Sequence, residues 1–332
     1  MMVHLTTQGA RVHLHQGRLH VVLDHAVLAR LPLNQIREVV VWGNVGWTTP
    51  ALLALAARGI PVIFLTRRGR FRAVLHGPET PHVALRRAQY AATASTRWVV
   101  AMSRDFVAVK LRHQRVLLQR RRRRHGPLPA VDAALDALQR ALEALPRKSS
   151  PNSLRGLEGR AARLYFQGLR ALLRPECGLQ GRTRRPPRDP ANALLSLGYT
   201  LLTQRAQSAA RAVGLDPYAG FLHGVVYGRP ALALDLAEEF RPVVDGLLLA
   251  LCNARRLTPD DFEPTGTGGW RLRDAALPRF LHAFEHRWAR LVRPAGHTER
   301  RPLGQWLMEQ ARQVARRLRD DDPGFRGLGF RG

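Results

Sequence analysis

The sequence predicts an α+β chain: a small N-terminal β-rich domain over residues 1–80, followed by a larger all-α domain over residues 81–319. Three observations carry this. Before His76-Gly77-Pro78 the apolar residues fall in short β-branched runs separated by turn residues. Beyond it they recur at helical spacing and continue to do so. A chain of 332 residues with 45% hydrophobic content is also long enough for two cored domains.

In the first domain, residues 11–15 and 19–23 flank His15-Gln16-Gly17-Arg18 as a hairpin. Residues 36–42 form another β-branched strand. Thr48-Thr49-Pro50 opens a short helix over 51–57, with Thr49 as the cap and Pro50 in the first turn, and Gly59 ends it. Strands at 61–65 and 71–75 follow around Arg67-Arg68-Gly69-Arg70. The helical domain divides into 81–101, 103–122, 130–145, 154–173, 190–213, 235–252, 276–291 and 303–318. Residues 120–124, all arginine, read as a solvated helix end or loop, and 178–188 as a loop rich in Gly, Pro and Arg. Residues 320–332 read as a frayed tail.

Charge narrows the function. Lys+Arg 53 against Asp+Glu 25 gives +28, and Lys110 and Lys148 are the only lysines. An excess of this size repels itself in a compact chain, so a polyanion is the natural partner. Arginine suits phosphate because its forked donors match the oxygens. A GC-rich genome would explain the choice of arginine over lysine, but not the net excess. Two cysteines, Cys177 and Cys252, give neither a disulfide framework nor a cysteine zinc site. The N-terminus lacks the apolar core of a signal peptide, and no apolar stretch reaches a membrane span. The expectation is a cytoplasmic protein with no membrane.

Three stretches carry candidate chemistry. In Gly156-Leu157-Glu158-Gly159, Glu158 falls between two apolar rows of its helix, and the glycines admit a ligand or another backbone. A carboxylate so placed needs a cation, either an ion or an arginine such as Arg163. In Gly220-Phe221-Leu222-His223-Gly224, His223 is a ligand or a satisfied core histidine. In the third stretch, Leu236, Phe240, Val244, Leu247 and Leu251 form an apolar stripe. Glu238 lies nearly opposite it, beside Asp235, on a face that is a ligand pair or an exposed acidic helix start. Two carboxylates and one imidazole suit Mg²⁺ or Mn²⁺ with open water positions. Such an ion can polarise a phosphodiester. No phosphate-cradling Gly loop, dinucleotide fingerprint or zincin helix competes.

Longer runs then carry a resemblance. Residues 184–199 (RRPPRDPANALLSLGY), 214–223 (GLDPYAGFLH) and 228–242 (GRPALALDLAEEFRP) resemble the CRISPR-associated integrase, the adaptation nuclease that inserts spacers into repeat arrays. Gly156-Leu157-Glu158-Gly159 with Ala162 and Tyr165-Phe166 is similar to it too, and Gly59–Leu65 resembles its β-domain less specifically. The resemblance implies metal ligands at Glu158, His223 and Glu238, with Asp235 a further acid beside the ion in the catalytic set. It also implies that the β-domain mediates a homodimer and the α-domain is catalytic. The implied reaction is attack by the 3′-OH of a short DNA duplex on a phosphodiester at the repeat boundary. A small ferredoxin-like subunit would bridge two dimers. Arg163, Arg182, Arg184 and Arg185 are the candidate contacts to double-stranded DNA, or else surface charges and structural pairs. The family's Lys-x-x-Asn pattern reads Lys110-Leu111-Arg112-His113, without the Asn. Two other readings are a structure-selective nuclease for branched or damaged DNA and a non-catalytic basic architectural protein.

Overall fold

A computed structural model describes residues 1–78 and 81–329. Contacts divide the chain into Met1–Pro81 and His82–Gly332, and the chain is α+β as expected.

The first unit holds two four-stranded sheets. In one, β1 (Met2–Leu5), β5 (Glu38–Trp42) and β7 (Val62–Leu65) are parallel, and β8 (Phe71–Leu75) closes the sheet antiparallel to β7. In the other, β2 (Arg11–His15) and β3 (Arg18–Leu23) form the expected hairpin, with β4 (Ala26–Pro32) beyond β3 and β6 (Gly46–Trp47) beside β2. Gln16 and Gly17 turn that hairpin with positive φ. Helix α1 (Thr49–Ala56) starts two residues before the expected 51, with Thr48 rather than Thr49 at the cap and no side-chain capping bond. Val12, Leu19, Val39, Leu55 and Val62 meet in this unit's core.

The second unit is mainly helical: α2 (Val83–Ala94), α3 (Thr96–His125), α4 (Pro129–Ala144), α5 (Pro151–Ala171), α6 (Pro190–Ala212), α7 (Ala231–Asn253), α8 (Leu277–Ala289) and α9 (Leu303–Arg319). Two short antiparallel pairs that the spacing does not predict, β9 (Phe262–Pro264) with β10 (Trp270–Leu272) and β11 (Leu291–Val292) with β12 (Arg301–Pro302), flank α8. The expected break before Ser103 lies instead at Ser95, which is extended; Ser103 is buried inside a 30-residue helix. Ser95 and Thr96 together are weak helix formers, whereas an isolated serine is tolerated.

Helix α7 packs against α3, α6, α8 and α9. This corrects the expectation of a free acidic face: Asp235, Glu238, Glu239 and Asp245 are all buried. A helix packed against four others leaves almost no solvent face, so its buried acids must find partners inside. Gly198 lets α6 approach, since a Cβ there would lie 2.5 Å from Val244 Cγ1.

The tail up to residue 329 is docked rather than frayed; residues 330–332 lie outside the described ones. Phe325 and Leu328 are buried, and Phe325 packs on Phe106 with the rings tilted by 41° and 4.5 Å between centroids. Backbone N–H groups of Phe325 and Leu328 donate to Asp105 (2.8 Å) and Glu239 (2.5 Å). His113, in the place of the missing Asn, contacts the carbonyl oxygens of Glu239 and Leu328. These apolar and polar anchors together outweigh the usual fraying of a chain end.

Candidate metal and DNA site

Helix α5 begins with a capping box: Ser150 accepts from Ser153 N, and Ser153 in turn accepts from Ser150 N. Two turns in, Glu158 reaches α3 and accepts from the Lys110 ammonium. The carboxylate therefore does sit in an ion pair, but with Lys110 and not Arg163, which is exposed. Gly156 and Gly159 do not admit another backbone: the former has only Arg160 near it and the latter faces open space.

Lys110 also lies 2.6 Å from Glu238 Oε2. On the other side of Glu238, Arg241 Nε is 2.9 Å and His223 Nε2 is 3.6 Å from Oε1. Burial works to raise the Glu238 carboxyl, but Arg241, Lys110 and His223 outweigh it and hold the group well below the usual carboxylate range. For Lys110 the order is the same: burial disfavours the ammonium, yet Glu238 and Glu158 raise it above its ordinary value. Arg241 lies over the Tyr199 ring, 4.6 Å from its centroid. Pro242 offers no N–H to the Glu238 carbonyl one turn back.

His223 arrives on the loop between α6 and α7. Asp235 fixes it, taking N–H bonds from Phe221 (2.6 Å), Leu222 (3.1 Å) and His223 (3.1 Å) and lying 2.7 Å from His223 Nδ1. Asp235 is fully buried, so its place is behind the imidazole. With Nδ1 engaged, Nε2 is the nitrogen turned toward Glu238. Gly220 allows the loop to seat, because a Cβ there would collide with the Ala231 carbonyl carbon.

Beneath this set, Tyr165 Oη donates to Asp245 at 2.6 Å and Tyr199 Oη donates to its other oxygen. Burial pushes Asp245 up to about 6, against those two bonds and the nearby Arg241. Burial likewise pushes Glu239 up to about 8, although Leu328 N–H and Gln310 donate to it.

The structure thus joins Glu158 and Glu238 through Lys110, with His223 beside Glu238 and Asp235 behind His223. Among the described residues no three acidic, histidine or cysteine side chains already stand as a ligand set. The chemistry of the donors nevertheless fits a hard divalent cation. Two carboxylates share one ammonium, and an oriented imidazole lies beside the second of them, on its other oxygen.

The candidate DNA arginines separate. Arg163, Arg184 and Arg185 are exposed. Arg182 is drawn inward, bonding Asn192 Oδ1 (2.8 Å) and Ser196 Oγ (3.2 Å) and lying over Tyr199.

Sequence reasoning missed Arg241 as a site residue and gave Lys110 no partner. A signal existed for the second: a lysine inside the apolar run Phe106-Val107-Ala108-Val109-Lys110-Leu111, in a chain whose one other lysine is Lys148.

Residues 3–286 match the family described as "CRISPR associated protein Cas1". The chain belongs to the Cas1 family. A "CRISPR-associated endonuclease Cas1 1" of Thermus thermophilus is 43% identical to this Cas1-family chain over 316 residues, 95% of each chain. Among solved structures, "Casposase bound to integration product" aligns with TM-score 0.84 at 22% identity, covering 96% of this chain and 91% of that one. A chain of a "Cas6-RT-Cas1--Cas2 complex" aligns with TM-score 0.81 at 24% identity, covering 98% of this chain and 36% of the other. At these identities the structural likeness establishes the shared fold. The family read from the sequence motifs is borne out. Among the described residues no helix is long and apolar enough to cross a membrane.

Proposed function

We propose that this Cas1-family chain is a divalent-cation-dependent DNA integrase and endonuclease, which inserts short DNA duplexes into a CRISPR repeat array. The observation that carries the reading is that Glu158 and Glu238 share the Lys110 ammonium while the Asp235-oriented His223 lies beside Glu238. It is supported by the name of the Thermus thermophilus relative, an endonuclease, and by the casposase neighbour, which was solved with an integration product.

Glu158, His223 and Glu238 would hold Mg²⁺ or Mn²⁺. When bound, the ion supplies Lewis-acid polarisation of a phosphodiester oxygen. The protein's own groups set up the rest. Asp235 fixes the imidazole tautomer so that Nε2 faces inward. Arg241 and Lys110 keep Glu238 ionised, the form that binds a cation, and Lys110 balances Glu158 and Glu238 where the ion would sit. In strand joining, a 3′-hydroxyl oxygen bonds to phosphorus as the target strand's own 3′ oxygen leaves. The number of phosphodiesters is thereby conserved.

For partners, the reading takes double-stranded DNA, a homodimer formed through the β-rich unit, and the small ferredoxin-like subunit. The Cas1–Cas2 assembly named for the structural neighbour supports the last. The test is a strand-joining assay in Mn²⁺ with and without that subunit, comparing wild type with Glu158→Ala, His223→Ala and Glu238→Ala. Joining should vanish in each variant while DNA binding survives. Full activity in any of the three would remove the site assignment. Cleavage of branched DNA without partner-dependent joining would favour a structure-selective nuclease.

A further inference from the structure

The loop that delivers His223 goes on to expose an apolar tip. Phe221 and Leu222 are buried, yet three residues later the chain presents Val225, Val226 and Tyr227 to solvent, with Tyr227 fully exposed. Three consecutive exposed apolar residues are unusual on a folded chain without a binding role. Here they stand on a protein of net charge +28.

The tip is built as a firm protrusion. Gly224 and Gly228 bracket it with φ of +66° and +71°, a region that L side chains rarely adopt, and Arg229 N donates to Val226 O at 3.0 Å to close the turn. Its base is held by the Asp235 bonds to residues 221–223, by Arg155 Nη1 donating to Leu222 O (2.9 Å), and by Leu232 N donating to Pro217 O (3.0 Å). The surroundings are basic: Arg155 lies at the base and Arg229 on the turn itself, which has no acid.

We propose that residues 225–227 form a stacking wedge, in which Tyr227 takes the face of an unstacked DNA base beside the phosphodiester presented to His223. The inference rests on the DNA reading above and adds to it how the substrate is opened and held. A nucleotide is an apolar, π-faced base attached to a phosphate, and the loop offers an apolar, aromatic tip beside guanidinium groups. Tyr227 follows His223 by four residues on the same loop, whose base Asp235 ties to residues 221–223.

The experiment uses the full chain in a Glu158→Ala background, which prevents turnover of the probe. The probe is a branched duplex with 2-aminopurine next to the reacting phosphate. Tyr227 and Tyr227→Phe should give the same emission change on binding. Tyr227→Ala should abolish that change and weaken branched-DNA binding roughly 5- to 150-fold, the range for one stacked base. Affinity for plain duplex and its salt dependence should be unaltered. Because Tyr227 is solvent-exposed, the three proteins should melt alike. An unchanged emission response in Tyr227→Ala, or weakened self-association or partner binding with intact DNA opening, overturns the wedge. Failure of the parent chain to bind DNA, or full joining by Glu158→Ala itself, overturns the DNA reading instead.

Discussion

The Lys110 ammonium lies 2.6 Å from Glu238 on one side and contacts Glu158 on the other, joining α3, α5 and α7 through one buried charge. It follows that Lys110→Met leaves two facing carboxylates with only Arg241 to balance them. The variant should lose about 3–5 kcal/mol in urea unfolding at pH 7. Mn²⁺ should stabilise it more than it stabilises wild type, because the ion supplies the missing charge to the folded state alone. Equal Mn²⁺ shifts in both proteins would show that the ammonium and the ion do not share ligands.

Asp235 makes a second prediction, about orientation. Both of its oxygens are committed to N–H groups of residues 221–223 and to His223 Nδ1. Asn in its place would turn an amide toward some of those donors. Asp235→Asn should lower Mn²⁺ affinity and strand joining about 10- to 100-fold, while the circular dichroism spectrum is retained. Calorimetric titration with Mn²⁺ checks the affinity directly. Unaltered binding would mean that His223 keeps its pose without the carboxylate.

Asp245 predicts a pH dependence. Its folded pKa, about 6, lies above its ordinary value of 3.8, so the folded chain holds this proton more tightly. The stabilisation is full below about pH 4 and is lost as pH rises through 6. A shift of this size corresponds to about 3 kcal/mol. Urea unfolding between pH 4 and 7.5 should therefore show a fall in stability that Asp245→Asn reduces. Parallel profiles for the two proteins would assign the fall elsewhere, with Glu239 the next candidate.

The docked tail makes a fourth prediction. Leu328 is buried and its backbone bonds Glu239 and contacts His113. Leu328→Ala should cost about 2–5 kcal/mol, as a core position does. A truly frayed end would show almost no change. Phe325→Ala, which removes the ring packed on Phe106, should destabilise as well. Thermal melts of the two variants measure both.

Much of this fold was readable because period and turn chemistry are local. The hairpin around Gln16-Gly17 and the helices α4 to α9 follow from spacing, although the Ser150 cap that starts α5 three residues before the expected 154 was missed. The family motifs likewise pointed to Glu158, His223, Glu238 and Asp235, which the fold brings into one place. What escaped depends on long-range packing. The helical wheel of α7 gave Glu238 a free face because a wheel knows one buried side, whereas this helix packs against α3, α6, α8 and α9. Lys110 is 48 residues from Glu158, and no local pattern links them. The tail lacks periodicity, so its docking by Phe325 and Leu328 was invisible until Glu239 and His113 were seen facing it.

The arginines allow the last separation, between DNA binding and scaffold. Removing one arginine–phosphate pairing should reduce the slope of log affinity against log salt by about 0.9 on duplex DNA. Arg163, Arg184 and Arg185 are exposed, so alanine at each should weaken binding and flatten that slope without altering the melting temperature. Arg182 differs, because its guanidinium bonds Asn192 and Ser196 and covers Tyr199, one ring away from Arg241. Arg182→Ala should instead lower the melting temperature and slow strand joining through Tyr199 and Arg241, with the salt slope nearly intact. Titrations from 50 to about 200 mM salt, run beside thermal melts, distinguish the two classes. A flattened slope with unchanged melting for Arg182→Ala would move it among the DNA-binding arginines.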